Sequence, residues 1–207
     1  MKKIIFNNHY GLEDAVLAGT KTRTSRIFNV PLKRCGMNVG YFRFQKNKTV
    51  EFYDSDDDWI SGSALSPKYT VGETVAIAQA YRECRDYVGD IIDNKSTKQS
   101  AGWNNKTLVK AEYMPHQIQI TDIKLERLQN ITEEDCLKEG IIEEDSFDEY
   151  NGCFDDTPYY FYNDEDMSDD TFSTAKKAFA SLIDKINGKG IWNKNPWVWV
   201  YYFELIK

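Results

Sequence analysis

The residues best suited to chemistry lie in one run, Gly19-Thr20-Lys21-Thr22-Arg23-Thr24-Ser25-Arg26. Lys21, Arg23 and Arg26 bring three cations into it, and the threonines bring hydroxyls that both donate and accept hydrogen bonds. Such a mixture suits an edge that recognises an anion or the polar rim of a base. A threonine oxygen is also a nucleophile, though a weak one until an adjacent base takes its proton. A lysine serves as that base only where burial or neighbouring cations hold it neutral. On a regular strand, Lys21, Arg23 and Ser25 share one face, and Thr20, Thr22, Thr24 and Arg26 share the other. Lys21 and Thr24 therefore meet only if a turn or bulge interrupts the strand. Without that break, the run reads as an exposed strand of alternating polar residues.

Other candidates carry less chemistry. Asp56-Asp57-Asp58 offers carboxylates for a divalent cation but lacks the ligand spacing of a calcium loop, and reads as a solvated turn. Cys35, Cys84, Cys136 and Cys153 are far apart and have only His9 and His116 beside them, so no metal site is expected. They read as free thiols in a reducing cytosol, and no cofactor is implied. Trp192, Trp197 and Trp199 are able to stack bases. The period-2 spacing of Trp197 and Trp199 points instead to core packing, which leaves Trp192 as the exposed ring. Tyr159-Tyr160-Phe161-Tyr162 reads either as a partner-binding patch or as a segment folded back onto the body. His9 reads as structural or capping.

The elements that must position these residues follow from periodicity. Lys2–Asn7 reads as a short strand. Leu12, Ala15, Val16 and Ala18 keep helical spacing up to Gly19, which is placed to end the helix. Tyr41–Phe44 and Val50–Tyr53 read as strands around the turn Lys46-Asn47-Lys48, followed by loop to residue 70 and a buried strand leading to Tyr81. Gln117–Leu128 reads as a long strand. Thr132 caps a helix whose first turn holds Glu133, Glu134 and Asp135. Phe172, Ala175, Phe179, Leu182, Ile183 and Ile186 form an amphipathic helix closed by Gly188. Trp197–Ile206 is continuously apolar and should be a central strand buried on both faces. Strands outnumber helices and lack regular helical crossovers. That argues against a doubly wound sheet and for a mixed or antiparallel barrel of five or six strands, with helices packed outside. Ile118, Ile120, Val198 and Val200 should share its core. The 207 residues suit a single domain with insertions at about 82–111 and 143–170.

Charge is unevenly spread. The net −7 divides into +8 for residues 1–48, −7 for 49–142, −12 for 143–170 and +4 for 171–207. A protein that wraps polyanions over its whole surface would be basic overall, so any nucleic-acid site must be local. The acidic insertion either guards such a site, engages a protein partner or simply solvates its face. No apolar run approaches the roughly 20 residues of a membrane helix. The N-terminus lacks the features of a signal peptide, so a cytoplasmic location is expected.

The sequence resembles a known family at several places. Gly19–Arg26, after the helix Leu12–Ala18, looks like the G-x-K-x-x-T-x-R signature of ASCH domains. Val71–Ile77, Ile120–Asp135 with Glu139-Gly140, and Ile186–Trp192 with Asn195–Val200 resemble further parts of the longer phage and prophage-type bacterial members. The resemblance implies an α+β fold, a PUA-like mixed or antiparallel β-barrel with a cleft beside the signature. It also implies binding of RNA, a nucleotide or a modified base, for which Lys21, Arg23, Thr24, Arg26, Gln119 and Trp192 are the candidate residues here. Small members of the family hydrolyse N4-acetylcytidine with a lysine, a threonine and a glutamate. Carried over, these fall at Lys21, Thr24 and, by an ungapped alignment on Ile118–Asp135, Gln119. Glutamine keeps the shape of glutamate without its charge, so binding is expected ahead of hydrolysis. An N4-acylcytidine amidohydrolase is the alternative, and an adaptor acting through residues 143–170 is a third reading.

Overall fold

The computed structural model describes residues 1–84, 100–144, 158–162 and 171–206, and the backbone of 147–148 and 153–154. Its strands are β1 (Lys2–Ile4), β2 (Arg23–Phe28), β3 (Lys33–Arg34), β4 (Met37–Asn38), β5 (Tyr41–Phe44), β6 (Val50–Tyr53), β7 (Thr74–Ile77), β8 (Gln117–Arg127), β9 (Ile142–Glu143), β10 (Phe147–Asp148), β11 (Cys153–Phe154), β12 (Tyr159–Tyr160) and β13 (Trp197–Leu205). The α-helices are α1 (Leu12–Leu17), α2 (Glu133–Lys138), α3 (Ala175–Asn187) and α4 (Ile191–Lys194).

The apolar run near the C-terminus organises the α+β fold. β13 lies between β8 and β2 and pairs antiparallel with both. Side chains from both its faces are buried, including Val198, Trp199, Val200 and Tyr201. The full sheet has the order β1-β7-β8-β13-β2, with β1 parallel to β7 and every other pair antiparallel. Ile118, Ile120, Val198 and Val200 join one core, as their alternation predicts. The β5–β6 hairpin sets Phe42 edge-on against Phe28 and Trp197, with ring centroids 5.7 and 5.0 Å apart.

The expected closed barrel is not formed among the described residues. The sheet ends in two free edges, β1 and β2. β1 is only three residues long, and the chain then turns through residues 8–11 into α1 instead of running beside β2. A side chain bridges the gap: Arg26 Nη2, from β2, donates to the Ile5 carbonyl, just past β1, at 2.7 Å.

The helices follow their caps. Thr132 Oγ1 accepts from Asp135 N at the start of α2, and Thr174 Oγ1 accepts from Lys177 N at the start of α3. α3 buries Ala175, Ala178, Phe179, Leu182 and Ile183. In the first expected insertion, residues 101–113 form three short 3₁₀ turns over a small core that includes Ala76, Tyr81, Val109 and Met114, while 85–99 lie outside the described residues. Lys106 straps this excursion to the body, reaching Glu13 Oε2 on α1 at 2.9 Å, the Phe6 carbonyl and Asn8 Oδ1. Most of the acidic segment 143–170 also lies outside the described residues. Its apolar patch folds back: β12 pairs with β9, and Phe161 is buried in the main core. No helix among the described residues is long and apolar enough to cross a membrane.

Candidate functional site

The break that Lys21 and Thr24 require lies at the end of α1. Gly19 takes φ +76°, where glycine has no steric penalty. Thr20 N and Lys21 N then both donate to the Ala15 carbonyl, at 3.0 and 2.9 Å, and Thr22 N donates to the Lys138 carbonyl at 3.0 Å. Residues 20–22 are thus held to the two helices, and β2 itself begins only at Arg23. Lys21 turns inward and is 2% exposed; Thr24 is 5% exposed. Both line a cavity of about 90 Å³ between β2, the segment Ile5–Asn7 and α3, whose Phe179, Leu182 and Ile183 form an apolar wall.

The cavity contains a carboxylate, supplied by Glu139 at the C-terminal cap of α2. Lys21 Nζ donates to Glu139 Oε2 at 2.9 Å and to the Glu139 carbonyl at 2.5 Å. Ser25 Oγ donates to Oε1 at 2.5 Å. Gly140 follows with φ +100°; a Cβ there would lie 3.1 Å from Leu12 Cδ2 and 3.6 Å from Lys21 Cδ, so glycine lets α2 end against Lys21. Burial drives the Lys21 ammonium below its ordinary value against the pull of Glu139, and Arg26 and Arg23 add to the lowering. Burial alone would raise the Glu139 carboxyl, but Lys21, Arg23 and the Ser25 hydrogen bond outweigh it and hold the carboxyl below its ordinary value.

Arg23 is 0% exposed and sits behind this pair. Its guanidinium pairs with Glu126, with Asp135 at 3.3 Å and with Glu139 at 4.0 Å, and lies over the Tyr202 ring. It is an internal counter-charge to the carboxylates. Arg26, by contrast, is exposed at the mouth of the cavity. The Thr24 hydroxyl makes no hydrogen bond with the described residues. Because Phe203 N donates to Thr22 O, hydrogen-bonded pairs recur at every second residue of the β2–β13 ladder. The N–H groups of Arg23, Ser25 and Ile27 therefore face the free edge of β2.

Two sequence-predicted residues lie elsewhere. Gln119 pairs with Thr74 on β7 and Glu204 on β13, whereas Thr24 pairs with Tyr201. That places Gln119 two strands over and three residues along, roughly 14 Å from Thr24 at ordinary strand spacing. The carboxylate beside Lys21 comes instead from Glu139, on the helix that follows. The signal was present as Glu139-Gly140, an acid before the glycine that ends a capped helix. Trp192 is half-buried and edge-on to Phe179 at 6.2 Å, so its ring is packed against α3 and is not a free stacking ring; its backbone N–H donates to Asp184 Oδ1. Asp56–Asp58 is a turn: Asp54 Oδ1 accepts from Asp56 N and Asp58 N, and Asp57 pairs with Arg43. Among the described residues no cluster of metal ligands occurs, and Cys35, Cys84 and Cys136 are free. No family model, curated protein or solved structure matches the chain.

Proposed function

We propose that the protein is an amidohydrolase of small N-acylated bases, of the N4-acylcytidine type, with Thr24 as nucleophile, Lys21 as proton acceptor and donor, and Glu139 as the carboxylate that orients Lys21. The observation that carries this reading is the convergence of Lys21, Thr24 and Glu139 on one cavity between the two free sheet edges. Reaction begins from the neutral fraction of Lys21 that burial favours: the threonine oxygen attacks the acyl carbon as that amine takes its proton. Lys21 returns that proton to the departing amine, and water releases the acyl group from Thr24 as a carboxylate. The Ser25 N–H, next to Thr24 and turned to the free edge, is available to the oxyanion. The apolar wall from α3 suits a short acyl chain. In this reading the open sheet is a PUA-like barrel unclosed at the β1–β2 seam, in keeping with the ASCH resemblance.

A groove for single-stranded RNA, expected from the same run, would need its cations outside. Arg23 and Lys21 are buried against carboxylates, which leaves Arg26 alone at the mouth. The cavity favours a small ligand over a polymer. Mass-spectrometric turnover of N4-acetylcytidine tests the proposal. Cytidine and acetate should appear, Thr24→Ala should abolish the reaction, and Glu139→Gln should slow it by roughly 10²–10⁴. Gln119→Glu should change little. Absence of turnover by the unmodified protein would refute the proposal.

A further inference from the structure

A second cavity of about 380 Å³ adjoins the first and shares Ile5, Arg26 and Ile27 with it. The Arg26 side chain, reaching across the seam to the Ile5 carbonyl, stands where the two meet. The walls of the second chamber are aromatic: Tyr69, Trp199 and Tyr201, with Lys68 beside them. Their hydroxyls are already committed. Tyr69 donates to the Lys3 carbonyl at 2.9 Å, and Tyr201 accepts from Lys68 N at 3.0 Å. What remains toward the chamber is largely ring carbon, which suits a flat ring.

The chamber's two cations are exposed and lack carboxylate partners. Arg26 and Lys68 form no ion pair with any described residue. Lys68 Nζ lies 5.2 Å from the Tyr69 ring centroid, and the Arg26 guanidinium 6.0 Å from that of Phe6. Burial pushes the Tyr69 phenol up to about 12, so no phenolate there competes for these cations. An aromatic chamber with Arg26 where it meets the cavity of Thr24 and the exposed Lys68 beside its rings fits a ligand that is planar at one end and anionic at the other.

We infer that this chamber is a subsite for the base and phosphate of an acylated nucleotide, so that the substrate of the reaction proposed above is a nucleoside monophosphate. The acyl group enters the small cavity at Thr24 past Arg26, the ring lies against Tyr69, Trp199 and Tyr201, and Lys68 holds the phosphate beyond it. This inference rests on the amidohydrolase reading for its chemistry, but its binding can be tested without turnover.

Two measurements on the full chain separate the claims. The first compares kcat/KM for N4-acetylcytidine and its 5′-monophosphate. The monophosphate should be preferred by roughly tenfold or more, as expected for charge-assisted hydrogen bonds to phosphate, and Lys68→Ala and Lys68→Glu should collapse that preference. The second is calorimetric titration with cytidine 5′-monophosphate and with cytidine. The monophosphate should bind tighter, and the difference should shrink in Lys68→Glu and with added salt, with circular dichroism checking that the variants fold. Hydrolysis with equal rates for both substrates would overturn the subsite and leave the hydrolase standing. Lys68-dependent binding of the monophosphate without turnover would support the subsite and remove the hydrolase. No preference in either assay would overturn the inference.

Discussion

Replacing Glu139 by glutamine tests the site through stability as well as rate. The amide keeps the shape of the carboxylate and can still accept from Ser25 Oγ, but it leaves the Lys21 ammonium buried beside the Glu139 carbonyl without its counter-charge. Removing one partner of a buried pair commonly costs about 3–5 kcal/mol. Lys21 can limit the loss by shedding its proton. From an ordinary value of 10.5, at roughly 1.36 kcal/mol per pH unit, a neutral lysine costs about 4.8 kcal/mol at pH 7 and about 2 kcal/mol at pH 9. The sign follows from proton counting: with the folded value depressed, the unfolded chain binds more protons up to 10.5, so stability rises with pH over that window. The variant should therefore be about 3–5 kcal/mol less stable than the unmodified protein at pH 7 and at most about 2 kcal/mol less stable at pH 9. The gap should also narrow in acid. Glu139 is depressed below 4.5 in the folded protein, so the stability it contributes is present above that value and is lost as pH falls through the folded one. Urea denaturation followed by circular dichroism at several pH values measures all three points. A gap under about 1 kcal/mol at pH 7, or one unchanged at pH 9, would refute the buried ion pair.

Arg23→Ala should destabilise by about 3–5 kcal/mol, because it strands Glu126 and Asp135 and leaves Glu139 with Lys21 as its one cation, while the exposed Arg26→Ala should cost no more than about 1 kcal/mol; urea titration distinguishes them. Gly140→Ala should cost about 1–3 kcal/mol at its positive φ, and should slow turnover by displacing the end of α2 that carries Glu139. Lys106→Ala should destabilise more at pH 8 than at pH 5. Glu13 is already raised by burial and loses its ammonium in the variant, so the folded state increasingly disfavours the carboxylate as pH climbs above 4.5. Thermal melts at the two pH values measure that difference.

Much of the fold was legible because period and caps act locally. β8, β13, α2 and α3 lie within a few residues of where apolar spacing, Thr132 and Gly188 place them. Closure of the sheet was not legible. It depends on whether β1 runs beside β2, and nothing in either strand's own pattern states that the chain leaves β1 after three residues for α1. Buried charge misled the reading in the same way. Lys21 and Arg23 look like surface cations in sequence, and only the fold places Glu139, more than a hundred positions later, against them. Gln119 comes from an ungapped alignment of Ile118–Asp135 to the family signature. An alignment of that kind counts positions along the chain and does not say which part of the sheet faces the cleft.

The open seam links the structure to the proposed chemistry. A closed ladder between β1 and β2 would consume the edge N–H groups of Arg23, Ser25 and Ile27 and fill the space between the strands. Leaving it open supplies backbone donors, a pocket and an entry at one place, at the cost of two unpaired edges. Those edges carry features that block strand addition from outside. α3 and the Ile5–Asn7 segment cover the β2 edge where Lys21 and Thr24 lie, and the Arg26 side chain takes the Ile5 carbonyl that an added strand would use. The same arginine separates the chamber of the proposed nucleophile from the aromatic one. Arg26→Ala should therefore leave the fold intact and change binding of cytidine 5′-monophosphate and of cytidine by similar factors, in contrast to Lys68→Ala. A selective loss of the monophosphate in Arg26→Ala would refute that placement and put the arginine at the phosphate.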